Sequence, residues 1–369
     1  MISRSFLVPI LALIGMGVFA ALIFAFVGVN ERESVPQVQS TRNDGSLFVL
    51  GSIPYWDQDR AYRMFQKHVD DTDALSLFWY RLDENGAIGK YASASEDMSI
   101  VRFAQERGVK ALALIANLPD EGEWDASRVQ RVIGSKEARQ AHITSIVNLL
   151  ESKGFDGVNI DYEFLNDSQT ANYTAFINEL GVELRAREKM LIVAIHAQQE
   201  GTETRGQDIP SLTGADYLGY MTYDQHYETS DPGANAEIAW MRDVLQYAQS
   251  QGVPMKKILL GIPLDGYDWA NDHGEWHEAN GVDYESALAL AKEKNATIKY
   301  DSGVEAPYFE YTDTEGVAHQ VWFEDVRSFS PKYELAKEFG VGGLLPWKFG
   351  AEDEKIYDVL NEKPAELVD

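Results

Sequence analysis

From residue 46 onward, short apolar runs alternate with segments in which apolar positions recur every three to four residues. That alternation predicts strand and helix units assembled into a parallel sheet. Eight runs read as strands: 47–54, 74–80, 110–116, 157–163, 191–197, 217–223, 258–263 and 343–347. Between the third and fourth, residues 135–153 place Ala138, Ala141, Ile146, Leu149 and Leu150 near helical spacing and stop at Gly154, a good C-terminal cap. Eight such units predict an α/β fold, a (β/α)8 TIM barrel, with a doubly wound open sheet as its rival. Residues 268–320 break the rhythm with Gly, Asn, Tyr and acidic residues around short strand-like pieces. They predict a small α+β insertion between the seventh and eighth barrel strands.

Before this region the pattern is different. Residues 6–29 are an uninterrupted apolar run with Arg4 ahead of it and Glu31, Arg32 and Glu33 behind. The run is long enough to cross a bilayer, and it exceeds the apolar stretch of a cleaved signal while lacking a small-x-small cleavage site. The expected organisation is therefore a transmembrane anchor over 1–29, a polar tether over 30–45 and the barrel over 46–369. Positive charge at the N-terminus puts that end in the cytoplasm and the barrel outside the membrane; cleavage of the segment instead makes the protein secreted. A formal charge of −27 argues against a nucleic-acid partner. The absence of cysteine excludes disulfides and thiolate metal sites. The barrel is expected to be monomeric.

The chemistry concentrates in Phe-Asp-Gly-Val-Asn-Ile-Asp-Tyr-Glu, residues 155–163. In a strand Asn159, Asp161 and Glu163 share one face while Val158, Ile160 and Tyr162 share the other. Carboxyls crowded on an inward face repel, so one keeps its proton near neutrality, as glycosidic-bond cleavage requires. The plainer reading is an edge strand whose polar face meets water. In a barrel the C-terminal strand ends form the active site, which gathers Trp56, Tyr80, Glu163, His196, Tyr223, Asp224 and Trp347 at one mouth. His196 is as readily a core histidine. His273 and His277 stand four apart, but Gly274 and the surrounding Asn and Asp favour a loop over a metal-binding helix face. No metal or cofactor is implied.

Three separated motifs make the chain resemble glycoside hydrolase family 18, the chitinase-like family, over residues 46–358. The first is Asp-x-x-Asp-x-Asp-x-Glu, matched by Asp156, Asn159, Asp161 and Glu163, with Asn159 departing from the usual Asp. The second is Met221-Thr222-Tyr223-Asp224, and the third runs from Gly342-Gly343 to Trp347. Asn159, with Pro54-Tyr55-Trp56, Phe78-Trp79-Tyr80 and Gly261-Ile-Pro-Leu, is most like the branch of spore-germination and cortex-lytic N-acetylglucosaminidases. The resemblance implies substrate-assisted retaining hydrolysis of a polysaccharide containing N-acetylglucosamine. Glu163 would be the acid and base, Asp161 would orient the substrate acetamido group, and Tyr223 would bond its oxygen. Asp224 would hold the sugar, with Trp347 as its floor. Asn159, Met221, Trp56, Tyr80, Gln198 and Tyr267 are further substrate-binding candidates. The resemblance places Asp156 in a structural role at the strand entrance. The competing functions are a glycan-binding module without catalysis and an envelope scaffold acting through the insertion.

Overall fold

The computed structural model describes residues 46–361; the anchor over 1–29 and the tether over 30–45 lie outside the described residues. Among the described residues no helix is long and apolar enough to cross a membrane. The strands, in chain order, are β1 (Phe48–Pro54), β2 (Ala74–Leu82), β3 (Ile88–Lys90), β4 (Lys110–Ala116), β5 (Gly157–Asp161), β6 (Met190–His196), β7 (Tyr217–Met221) and β8 (Ile258–Pro263). Then come β9 (Asp265–Asp272), β10 (Glu275–Trp276), β11 (Asn280–Asp283), β12 (Lys299–Asp301), β13 (Ala306–Thr312), β14 (Ala318–Trp322) and β15 (Gly343–Trp347).

Eight of these close into a parallel barrel in the order β1, β2, β4, β5, β6, β7, β8, β15, with β15 pairing back onto β1. The open-sheet alternative is thereby excluded. All eight predicted runs are barrel strands, although those at 157–163 and 217–223 end two residues earlier, at Asp161 and Met221. Apolar side chains on the outward strand faces, such as Val158, Ile160, Leu191, Val193 and Ile195, pack with helix residues Ile146, Leu150, Phe176 and Leu180 in one continuous core. The helix Lys136–Lys153 shows the local rules clearly. Ser135 accepts the Ala138 N–H at 3.1 Å, and Gly154 ends the helix in the left-handed region.

Two departures shape the mouth. No α-helix follows β6, where residues 197–216 carry only a 3-10 turn at Ile209–Ser211. That stretch contains Gly201, Gly206, Pro210 and Gly214 and lacks a helical apolar stripe, so nothing in it can bury a helix against the sheet. The insertion is also larger than 268–320: its antiparallel strands begin at Asp265 and end at Trp322, immediately after β8. Phe309, Val321 and Phe323 pack against Ala287 and Ala291 of the helix Tyr284–Glu293 to give the insertion a core of its own.

Candidate active site

Strand alternation explains which side chains reach the barrel interior. On β5, Asn159 and Asp161 face inward, and Glu163 follows just beyond the strand end; all three are buried. Asn159 donates to Ser76 Oγ at 3.0 Å, while its Oδ1 is buried without a partner, as is Oδ1 of Asp161. The backbone of Glu163 is clamped from both sides by Asn117. Its N–H donates to Asn117 Oδ1 at 2.8 Å, and its carbonyl accepts from Nδ2 at 3.0 Å. The acid is therefore placed by a side chain at the end of β4 as well as by its own strand.

Burial is the main force raising both carboxyls. Glu163 rises further because Asp161 and Asp224 repel its charged form, outweighing the pull of Arg205. The hydrogen bond between the pair stabilises charge on Asp161 at the expense of Glu163. The proton thus resides on Glu163, and the two titrate as a unit. His196 Nε2 lies 3.3 Å from Glu163 Oε2. Burial, and then the nearby Arg205, push this imidazole down to about 3, so it is neutral.

The opposite wall is aromatic. Tyr223 and Trp347 lie nearly parallel with centroids 6.2 Å apart, and Trp56 meets Trp347 edge-on at 6.3 Å while remaining 51% exposed. Gly261 makes this possible. A Cβ there would lie 2.3 Å from the Tyr220 carbonyl oxygen and 2.9 Å from the Tyr223 ring. Asp224 stands in the open mouth with a left-handed backbone (φ 57°); its N–H donates to Asn235 Oδ1 at 2.7 Å, and its carboxylate accepts from Tyr267 at 3.2 Å. Shielding by the walls raises this carboxyl as well. Tyr267 comes from β9, so the insertion supplies part of the mouth. Met221 ends β7 opposite His196 in register and is half-buried.

Two candidates belong elsewhere. Tyr80 is buried away from the mouth, donating to Glu96 at 2.5 Å and packing edge-on against Phe155. A bulge between Phe78 and Tyr80 shifts the strand register. It reverses the alternation beyond Phe78 and turns Tyr80 outward, while Phe78, ahead of the bulge, meets Trp56 and Trp347. Gln198 is a loop fastener, donating to the carbonyls of Thr204 and Gln207 at 3.1 Å each. It lines a side cavity of about 170 Å³ with Tyr220 and Tyr247. His273 and His277 flank the short β10 on an exposed hairpin, not a helix. Asp156 accepts from the Ala111 N–H at 2.8 Å and from Gln105 at 2.9 Å, tying the start of β5 to its surroundings.

Sequence reasoning missed Asn117, Phe78, Arg205 and Asp265. Asn117 and Asp265 lie within two residues of barrel-strand ends, the signal that located the other candidates. Asp265 is half-buried and raised by burial and by Asp224. Phe78 shares the inward face with Ser76 by plain alternation before the bulge, whereas Arg205 depends on the path of a loop.

A closed (β/α)8 barrel carrying a protonated acid beside a second carboxyl, under an aromatic wall, defines the class of a glycoside hydrolase. Residues 18–352 match the family model described as "Glycosyl hydrolases family 18", and the chain belongs to that family. The cortical fragment-lytic enzyme of Bacillus anthracis is 30% identical over 293 residues, covering 78% of this chain and 67% of that protein. The crystal structure of a chitinase from Chromobacterium violaceum superposes with a TM-score of 0.78 at 28% identity, covering 86% of this chain and 98% of that one. The spore cortex-lytic enzyme SleL of Bacillus cereus gives 0.78 at 26% identity, covering 86% and 74%. The resemblance to the cortex-lytic branch is borne out by these relatives.

Proposed function

We propose that this chitinase-like hydrolase is a membrane-anchored, extracytoplasmic enzyme. It cleaves β-1,4 bonds of a glycan containing N-acetylglucosamine, with a peptidoglycan-like polymer preferred over chitin. The observation that carries this reading is the pair Asp161 and Glu163, buried together at the mouth with the proton on Glu163. Two carboxyls bonded to each other cannot flank a glycosidic bond as separate acid and nucleophile, which in retaining enzymes stand about 5–5.5 Å apart on either side of it. A nucleophile carried by the substrate fits this arrangement, and a 2-acetamido oxygen is suitably placed on the sugar itself. Glu163 then protonates the leaving oxygen. Asp161 accepts the acetamido N–H and supports the positive charge of the cyclic intermediate. Tyr223 bonds the acetamido oxygen, Asp224 holds the sugar, Trp347 forms its floor, and Glu163 finally removes a proton from the attacking water.

The preference for an envelope glycan is supported by the cortical fragment-lytic relative and by the apolar run over 6–29, which would keep the enzyme beside a wall. On the insertion only Trp276 and Leu288 are exposed large apolar side chains, a poor basis for scaffolding. The test is incubation of the full-length chain with N-acetylglucosamine oligomers and with purified peptidoglycan, reading products by mass spectrometry and the first-formed anomer by NMR. Cleavage with retention of the β-anomer is expected. Inversion overturns the substrate-assisted mechanism. Binding without cleavage, equal in the parent and Glu163→Gln, makes the protein a glycan-binding module.

Asn159 gives a sharper electrostatic test. Asn159→Asp introduces an acid beside the pair, which disfavours deprotonation of Glu163. Glu163 then stays protonated to higher pH, and the descending limb of the kcat/KM profile moves upward by about one pH unit. An unmoved limb removes position 159 from the electrostatics of the pair.

A further inference from the structure

We infer that His196, held in a single tautomer by Arg205, is a positioning residue that fixes the Glu163 carboxyl for proton transfer. The inference rests on the reading of Glu163 as the proton donor. His196 Nδ1 lies 3.2 Å from Arg205 Nη1, and His196 Nε2 lies 3.3 Å from Glu163 Oε2. A guanidinium has only donors, so Nδ1 must accept and the ring proton must sit on Nε2, directed at Glu163. The Phe164 N–H also approaches Nε2, at 3.3 Å. Accepting that bond requires the proton on Nδ1, facing the guanidinium. The charge-assisted contact is the stronger of the two, and the Nε2–H form prevails.

With Oε2 of Glu163 accepting from His196, the transferable proton occupies the other oxygen, where it is donated to Asp161 until the substrate acetamido N–H engages Asp161 and releases the proton towards the leaving group. After transfer, the same N–H steadies the carboxylate that must next act as base. The imidazole does not compete for that proton, because burial and Arg205 keep it neutral. The charged groups acting on Glu163 are Asp161, Asp224 and Arg205.

The helix-free loop after β6 is built to deliver the arginine. Gln207 accepts the His196 N–H and donates to the Ala194 carbonyl, both at 3.0 Å, binding the loop back to the strand. Arg205 itself adopts a left-handed backbone (φ 47°), and its guanidinium lies 4.5 Å from the centroid of the Phe164 ring. At Gly206 a Cβ would come within 2.6 Å of Leu165 Cβ, so the loop presses against the segment that follows Glu163. A strand end, a loop and the acid's own neighbour therefore converge on one imidazole.

The experiment uses the full-length chain labelled with 15N-histidine, with His196 assigned by its loss in His196→Gln. The expected result is a neutral Nε2–H imidazole across about pH 5–8, with a mixed tautomer in Arg205→Ala. In activity, His196→Gln keeps a donor near Glu163 and stays within about tenfold of the parent. His196→Met fills similar space without a donor and lowers kcat about 10–100-fold at unchanged KM. Its descending pH limb moves upward because the Glu163 carboxylate has lost a donor. A parent imidazole protonated on Nδ1 overturns the proposal, as does a His196→Met variant matching His196→Gln in kcat and pH profile. Should the parent cleave no N-acetylglucosamine substrate, the functional reading fails, while the tautomer still decides how His196 is held.

Discussion

Glu163→Gln lowers kcat on N-acetylglucosamine oligomers by at least about a hundredfold, the scale of losing a positioned general acid. Binding changes by no more than a few-fold. The amide keeps the shape of the side chain, and the backbone at this position is held by Asn117 on both sides, so the mouth should not rearrange. A loss below about tenfold means that another group supplies the proton. The same substitution has a stability signature with a defined sign. Because Glu163 is raised in the folded state, folding at neutral pH requires uptake of a proton that the unfolded chain releases. That cost is absent below the unfolded carboxyl value of about 4.3 and grows as pH rises towards the folded value. Gln removes it, so the variant melts at or above the parent temperature at pH 7, with the difference closing near pH 4.

Lys332→Met is expected to destabilise the protein by about 3–5 kcal/mol, the usual consequence of stripping a buried charge of its partner. Lys332 on the helix Val326–Phe339 is 0% exposed, and its Nζ lies 2.5 Å from Glu324 Oε2. Glu324 sits where the insertion rejoins the barrel, its other oxygen unpartnered. Burial raises its carboxyl, and Lys332 is the first influence pulling it back. Without the lysine, Glu324 must take up a proton on folding, so the penalty is larger at pH 8 than near pH 4. Thermal melts at the two pH values check this. Adding Glu324→Leu to Lys332→Met recovers most of the loss, since the apolar pair leaves no uncompensated charge. A single variant that melts like the parent shows that water or backbone movement solvates Glu324.

Both predictions concern buried charge, and the two cases differ in how well they could be read before the structure was known. Asp161 and Glu163 were legible because period-two spacing forces them onto one face, and an inward polar face in a barrel demands a use. Glu324 and Lys332 gave no such sign. They stand eight residues apart across the end of an inserted sheet, and neither flanking pattern distinguishes them from surface residues. Tyr80 fails for a related reason. Alternation assigns it to the mouth, but the bulge after Phe78 reverses the facing of everything beyond it, and no residue type in Phe78-Trp79-Tyr80 announces the bulge. Asn117 and Asp265 lay within reach of the rule that had found their neighbours. Arg205 did not, since its place depends on a loop path fixed by Gln207 and Gly206.

The barrel strands, the helix capped at Gly154, the presence of an insertion after the seventh barrel strand and the motifs that mark the family can all be read from the chain's own pattern. These follow from periodicity, capping and local spacing, which act within a few residues of chain and survive in any context that buries the right face. Only in the folded chain is Glu163 clamped by Asn117, does Phe78 rather than Tyr80 meet Trp56 and Trp347, does Tyr267 of the insertion reach Asp224, and does Arg205 meet His196. Each of these contacts joins residues from separate elements, and its energy depends on burial, direction and charge at the meeting point, none of which is carried by spacing along the chain.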